Sequence, residues 1–377
     1  MGVHSRYGAS VIHMVLNCAG YINATRYCDN PTNDAAELGT AAHECAEFVL
    51  QSGIADAKDC IGMTFNGFVV DEEMADGVNI YVTDIRALRV QHPGGKSYVE
   101  GKVAMSSVAK DVFGTSDHIL ISVEDGVLYI HDLKYGFGVV EALDNPQIAH
   151  YAISTMDTYN LWFKVDKIVG TIVQPRAEHV DGVTRRYELD INTLMDWRDK
   201  ISNAIEASKK PDAIRTAGKH CNYCLKRGEC RTRMLHTVTL CTTDSNQGDM
   251  TNEEIVAFYN EQGAIKNNIE KFKEVALSTA RAGTQFPGYK LVRGVARAKC
   301  TDNEAFIKAA TAEGAKIDDI AWPRNPKGKT YMRKHVSAKL LDEYFPSPDT
   351  STTLAPMSSP KSAIRSNAKE AFPDFDI

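Results

Sequence analysis

The stretch from Thr115 to Gly136 constrains the fold of this chain more than any other. Two runs, TSDHILISV and VLYIHDLKYG, are rich in β-branched and aromatic residues that alternate with polar ones, and Glu124-Asp125-Gly126 separates them. Asp-Gly between such runs marks a hairpin, because a tight turn needs the positive φ that glycine adopts without strain. If Asp125 and Gly126 are the two loop residues, Asp117 faces Lys134 and Ile119 faces Asp132. Strand side chains alternate with period two, so Asp117, Asp132 and Lys134 project from one face. A slip of one residue would scatter them to both faces.

Two carboxylates held a few ångströms apart repel each other, and a hard divalent cation such as Mg²⁺ relieves that repulsion while keeping waters of its own. A phosphodiester can share such a metal. The adjacent Lys134 then suits orienting or deprotonating an attacking water and stabilising charge on phosphate. Taken alone, Asp-x-Lys equally fits a surface ion pair, with Asp117 as a strand-entry turn residue.

The surrounding pattern is α/β. Residues 35–51 carry Ala, Leu and Phe at helical spacing, a second helix is expected around Met74 to Val90, and YVEGKVAM reads as a strand before the hairpin. Residues 145–160 form a helix entered through Pro146, and VDKIVGTIVQPR follows as a strand. Ile191 to Ser208 reads as helical. A long helix runs from Thr251 to Arg281, with Thr251 and Glu254 in the capping-box arrangement. The organisation expected is a core over 1–245, a long helix with a basic module over 246–345, and a Ser/Pro/Thr/Ala-rich disordered tail over 346–377.

Composition bears on partners and compartment. Net charge is −6, so attraction to a polyanion must come from local clusters. Three exist: Lys209 to Arg233, Lys290 to Lys299, and Arg324 to Lys334. Each alone fits a solvated face; together in an acidic protein they favour a polyanion groove. No apolar run is long enough for a membrane helix and no leader pattern opens the chain, so a soluble, cytoplasmic protein with no membrane partner is expected. Nine cysteines without a secretion signal point to reduced thiols, some of them metal ligands. Cys221, Cys224 and Cys230 supply three thiolates from one short loop, which suits an iron–sulfur cluster or zinc. Zinc could also draw on His220 or His236. Cys45, Cys60, Cys241 and Cys300 have no such spacing and read as core or surface thiols.

Four short motifs occur in order: Gly39-Thr-Ala-Ala-His43, Gly114-Thr-Ser-Asp117, Asp132-Leu-Lys134 and Gln147-Ile-Ala-His-Tyr151. In this order they resemble the RecB-like, AddB-like branch of the PD-(D/E)XK nuclease superfamily. The resemblance implies a restriction-endonuclease-like core: a mixed sheet flanked by helices, with helical additions and a small C-terminal module. It implies His43, Asp117 and Asp132 as ligands of Mg²⁺ or Mn²⁺, the Leu133 carbonyl as a further ligand, Lys134 as the catalytic lysine, and Gln147 and Tyr151 as groups that touch DNA or orient the lysine. Positions four apart share a helix face, so the last two can point together. Glu100, on the preceding strand, could approach the metal but stays outside the core set. In the iron–sulfur members of that branch a distant cysteine precedes the core and completes a [4Fe–4S] cluster, which implies Cys18, with Cys28 as runner-up.

Val173-Gln-Pro-Arg176 and the segment Pro287 to Gly294 further resemble a phage and prophage family of RecB-like proteins that carries a domain-of-unknown-function label. The activity implied is a metal-dependent DNA exonuclease in phage recombination or replication. The alternatives are a structure-specific endonuclease and a non-catalytic DNA-binding recombination scaffold. The C-terminal Phe-Pro-Asp-Phe-Asp-Ile loosely resembles tails of single-stranded DNA-binding proteins that recruit partners, so contact with a single-stranded DNA-binding or annealing protein is a further expectation.

Overall fold

The computed structural model describes residues 5–28, 33–241, 251–284 and 286–287. Two compact units divide the chain, Met1–Ser278 with Ser359–Ile377, and Thr279–Ser358. The two downstream basic clusters, Cys300, the Pro287 to Gly294 segment beyond Pro287 and the C-terminal tail lie outside the described residues.

In chain order the elements are α1 (Ala9–Asn17), α2 (Tyr21–Thr25), α3 (Asp34–Ser52), the two-residue strands β1 (Thr64–Phe65) and β2 (Phe68–Val69), and α4 (Glu72–Gln91). Next come β3 (Lys96–Ala104), β4 (Phe113–Ser122), β5 (Val127–Leu133), α5 (Pro146–Thr158), β6 (Lys167–Val173), β7 (Thr184–Asp190) and α6 (Ile191–Ser208). Last are α7 (Arg231–Cys241) and α8 (Asn252–Arg281). Polar caps set the helix starts, as their orphan amides require. Asn33 accepts from Ala36, Asp71 from Met74, Asn145 from Gln147 and Ile148, and Asp190 from Thr193. At α8 the capping box forms reciprocally, Glu254 N–H to Thr251 Oγ1 and Thr251 N–H to Glu254 Oε2.

A five-stranded mixed sheet in the order β3-β4-β5-β6-β7 is the centre of the molecule, with only β5 and β6 parallel. The α5 crossover joins those two strands, as a parallel pair demands. One face carries Ile119, Ile121, Leu128, Ile130, Ile168 and Ile172 against α1, α5 and α6; the other presents Leu133 and Val173 to α3 and α4. Burial on both faces explains the near-continuous apolar runs of β5 and β6. Gly170 on β6 lets α5 settle close, since a Cβ there would lie 2.3 Å from Ile148 Cγ2. Among the described residues no helix is long and apolar enough to cross a membrane.

The β4–β5 hairpin forms, but in a wider register than a two-residue Asp-Gly loop gives. Ser122 pairs with Val127 and His118 with His131, so residues 123–126 form a four-residue turn. Asp125 causes the difference: its carboxylate accepts from Ser122 Oγ and pairs with His92 at 2.6 Å, while Gly126 alone takes the left-handed φ of 68°. Carried one step past the last pair, this register sets Asp117 opposite Asp132 rather than Lys134. The shift is an even one, so parity is kept and all three side chains stay on one face.

Candidate functional site

The motif residues converge at the open end of this hairpin. Asp117 Oδ2 accepts the Leu133 N–H at 2.8 Å, tying β4 to β5 where their regular pairing stops. Asp132, 1% exposed, stands one residue before the end of β5, and Lys134 Nζ lies 2.7 Å from its Oδ2. Gln147, in the first turn of α5, bridges the pair: Lys134 Nζ donates to its Oε1 at 2.9 Å, and its Nε2 donates to Asp132 Oδ1 at 2.8 Å. Gln147 Nε2 also reaches Tyr151 Oη at 3.4 Å, one turn along the same helix face. From α3, His43 Nδ1 lies 3.4 Å from Asp117 Oδ2.

Glu100 belongs with them. Ligand atoms of His43, Glu100 and Asp117 all lie within 4.8 Å of one another, a group able to hold a metal ion. Glu100 sits between the Val99–His118 and Gly101–Ser116 pairs, across from Asp117, and takes a left-handed φ of 50°. That conformation is unusual for a residue other than Gly, Asn or Asp and turns Glu100 out of the regular pleat. Its signal in the sequence was only Val99-Glu100-Gly101 on a polar-alternating strand. Glu44 is exposed on α3 and takes no part in this group.

The electrostatics are those of crowded acids. Burial opposes charge on Asp117, yet His43, Lys134 and the Leu133 N–H hold its carboxyl below the usual range. Burial and the Asp117 charge push Asp132 up, with Lys134 offsetting part of that. Burial and Asp117 push Glu100 up to about 7. On the cationic side, burial works against charge on His43 and Lys134, but Asp117 and Asp132 outweigh it. His43 is held up to about 9, and Lys134 above its ordinary value. Asp132 Oδ2 is buried, and the Lys134 ammonium, 2.7 Å away, is the cation that meets it. Such an oxygen is costly unless a cation meets it.

A second convergence lies below α1. Cys18, Cys221, Cys224 and Cys230 line one small pocket, partly open to solvent, together with His220. Cys28 does not line it and bonds instead to the Ala24 carbonyl, so the structure brings Cys18, not Cys28, to the three clustered cysteines. A close backbone approach permits this. Gly20 N–H donates to Ile214 O at 2.8 Å, and a Cβ on Gly20 would lie 2.8 Å from Ala213 O. Cys18 Sγ then accepts the Thr216 N–H at 3.4 Å. On the far side Gly228 lies against α8, where a Cβ would meet Val275 Cγ2 at 2.7 Å. Burial and the neighbouring sulfurs push the Cys224 thiol up to about 11. Cys45 and Cys60 are core thiols.

A mixed sheet flanked by helices with a His/Glu/Asp group at the end of its central hairpin defines the class of molecule. The chain belongs to the family described as "Protein of unknown function (DUF2800)", whose model matches residues 4–362.

Proposed function

We propose that this protein is a metal-dependent DNA nuclease with a restriction-endonuclease-like, RecB-like core, acting as an exonuclease. The observation that carries the reading is the meeting of His43, Glu100 and Asp117 within 4.8 Å, beside the Asp132–Lys134–Gln147 network. Three motifs separated in sequence supply one face of one hairpin and the helix that follows it. A scaffold that merely bound DNA would have no need of Asp117, Asp132 and Lys134 together at one hairpin end.

The donor set is hard, carboxylate oxygen with one imidazole, and fits Mg²⁺ or Mn²⁺. His43, Glu100 and Asp117 would hold the ion; Asp132, expected as a ligand, is not one of that group and turns its two oxygens to Gln147 and Lys134 instead. When bound, such an ion supplies Lewis acidity to the phosphate and lowers the pKa of a water. The rest falls to the protein. Lys134, kept protonated by Asp132 and Asp117, places positive charge where negative charge grows on the phosphate. Gln147 fixes both partners of that ion pair, and Tyr151, its hydroxyl kept protonated by burial, backs Gln147. The four cysteines suit a [4Fe–4S] cluster, with zinc as the alternative; either would tie α1 to the loop after α6. Of the basic run beside this pocket, Lys210, Arg215, Lys219 and Arg231 are exposed and supply positive charge for DNA, whereas Arg233 is buried against Asn222 and Arg227.

Incubation of end-labelled linear duplex and single-stranded DNA with Mg²⁺ or Mn²⁺ tests the reading. Stepwise digestion is expected, and Asp132→Ala or Lys134→Ala should lower it by about 10²- to 10³-fold or more. Undiminished digestion by those variants would sink the assignment, and cutting of a closed circle would replace exonuclease with endonuclease.

A further inference from the structure

The loop that leaves Lys134 carries an aromatic ring that folding does not bury. Phe137 is 68% exposed, between Gly136 and Gly138, at neither of which a Cβ would meet anything within 4 Å. An exposed phenylalanine on a slack loop would call for no explanation. This loop is not slack. Gln174, fully buried, donates from Nε2 to Gly136 O at 3.0 Å and to Gly138 O at 2.6 Å, and its Oε1 accepts the Val140 N–H at 3.0 Å. Arg185, 5% exposed, donates to Val140 O at 2.7 Å and to Gln174 Oε1 at 2.8 Å. Two buried polar side chains thus fix the backbone on both sides of Phe137.

Arg176 completes the arrangement. Its guanidinium carbon lies 4.0 Å from the Phe137 ring centroid and 4.9 Å from that of Tyr135, and Glu73 holds it by an ion pair at 3.0 Å. Gln174 and Arg176 come from one segment, Val173-Gln-Pro-Arg176, to which the nuclease reading assigns no role.

We infer that Phe137, backed by Arg176, is a stacking platform for an unpaired nucleobase near the scissile phosphate, so that the substrate is single-stranded DNA or a frayed end. The inference rests on the nuclease reading for the position of the phosphate. Phe137 is three residues from Lys134, so their Cα atoms are at most about 11 Å apart. With the reach of the two side chains added, the ring lies within about 20 Å of the Lys134 ammonium, and at about 3.4 Å per stacked nucleotide that is within the first six or so nucleotides. In a duplex, internal bases already stack on their neighbours, whereas an unpaired base offers a free π-face. Aromatic and Arg-backed surfaces take such a face without regard to sequence.

The test uses single-stranded oligonucleotides with 2-aminopurine at each of the first six or so nucleotides beside the cut in turn, bound in Ca²⁺ so that they stay intact. Wild type and Phe137→Tyr should quench the probe at one position; Phe137→Ala should lose the quenching and bind about tenfold more weakly. In Mg²⁺ the ratio of kcat/KM for single strand over blunt duplex should fall about tenfold in Phe137→Ala. Equal quenching and an equal ratio in Phe137→Ala and wild type would overturn the platform while leaving the nuclease standing. Quenching that depends on Phe137, in a protein that cleaves nothing, would support the platform and overturn the nuclease.

Discussion

At the open end of the β4–β5 hairpin the charges are met by protein partners, His43 against Asp117 and Lys134 against Asp132, with Gln147 bridging. In the pocket below α1, by contrast, burial keeps Cys224 a neutral thiol, and the Cys18 sulfur accepts the Thr216 N–H, an uncharged donor. The first cluster hangs on a sheet buried on both faces, so its geometry stands whether or not a metal binds. The second joins a helix at the start of the chain to a loop past residue 213, and its geometry depends far more on what the sulfurs hold. A ligand that binds only the folded state adds its binding energy to folding where the site is not otherwise built. Metal should therefore matter for chemistry at the hairpin and for stability at the cysteines.

The sharpest way to break this contrast is Cys18→Ser. A metal centre joining residue 18 to residues 221–230 closes a long loop, and loop closure of that order removes about 5 kcal/mol of freedom from the unfolded chain. Anaerobically purified Cys18→Ser should lose the visible absorption of an iron–sulfur centre and melt about 10 °C lower. Cys28→Ser should do neither. If Cys18→Ser melts with wild type, the pocket is no staple and the contrast fails.

Glu100→Gln sharpens the other side. Removing one charged ligand should weaken Mn²⁺ binding by about 10- to 100-fold, read by calorimetry, with the metal-free melting temperature held or raised because crowded carboxylates repel. Glu100→Gly carries the same loss of affinity with a gain of about 1 kcal/mol in metal-free stability, since glycine relaxes the left-handed backbone. Mn²⁺ affinity unchanged in both variants would remove Glu100 from the metal group.

These regions differed as much in the sequence as they do in space. The hairpin and helices α3 to α6 and α8 were legible because period-two and period-3.6 patterns came with polar caps. Helix α1 was not: it has nine residues, no acidic first turn and no side-chain cap. Strand β7 was hidden by its charges, Arg185 turning inward while Arg186 reaches Asp84 on α4. Glu100 stayed outside the core set because β3 and β4 are joined by an eight-residue segment, 105–112, which fixes no register readable from residue types. The spacing of Cys221, Cys224 and Cys230 was plain in one dimension. Cys18 came only through a resemblance, since a contact across some two hundred positions leaves no local pattern.

The smallest effect expected follows from His43, and it separates a charge-balanced site from one built by metal. In the metal-free protein burial disfavours the imidazolium, but Asp117 holds its pKa up to about 9, against about 6.5 in the unfolded chain. A raised folded pKa adds stability that is fully present below about pH 6.5 and is lost as pH rises through 9. The buried histidines do not interfere there. His118 and His150, pushed down by burial to about 2 and about 4, change the balance only as pH falls below about 6.5. Glu100, raised to about 7, also ionises in this window, so the comparison is made in a Glu100→Gln background, where the metal-free protein should melt lower at pH 9.5 than at pH 6.5 relative to the same protein carrying His43→Gln. Metal competes with the same proton, so wild-type Mn²⁺ affinity should rise with pH up to about 9, approaching tenfold per unit. Identical slopes with and without His43→Gln would mean that the imidazole neither pairs with Asp117 nor faces the metal, and the hairpin end would lose its one ligand from α3.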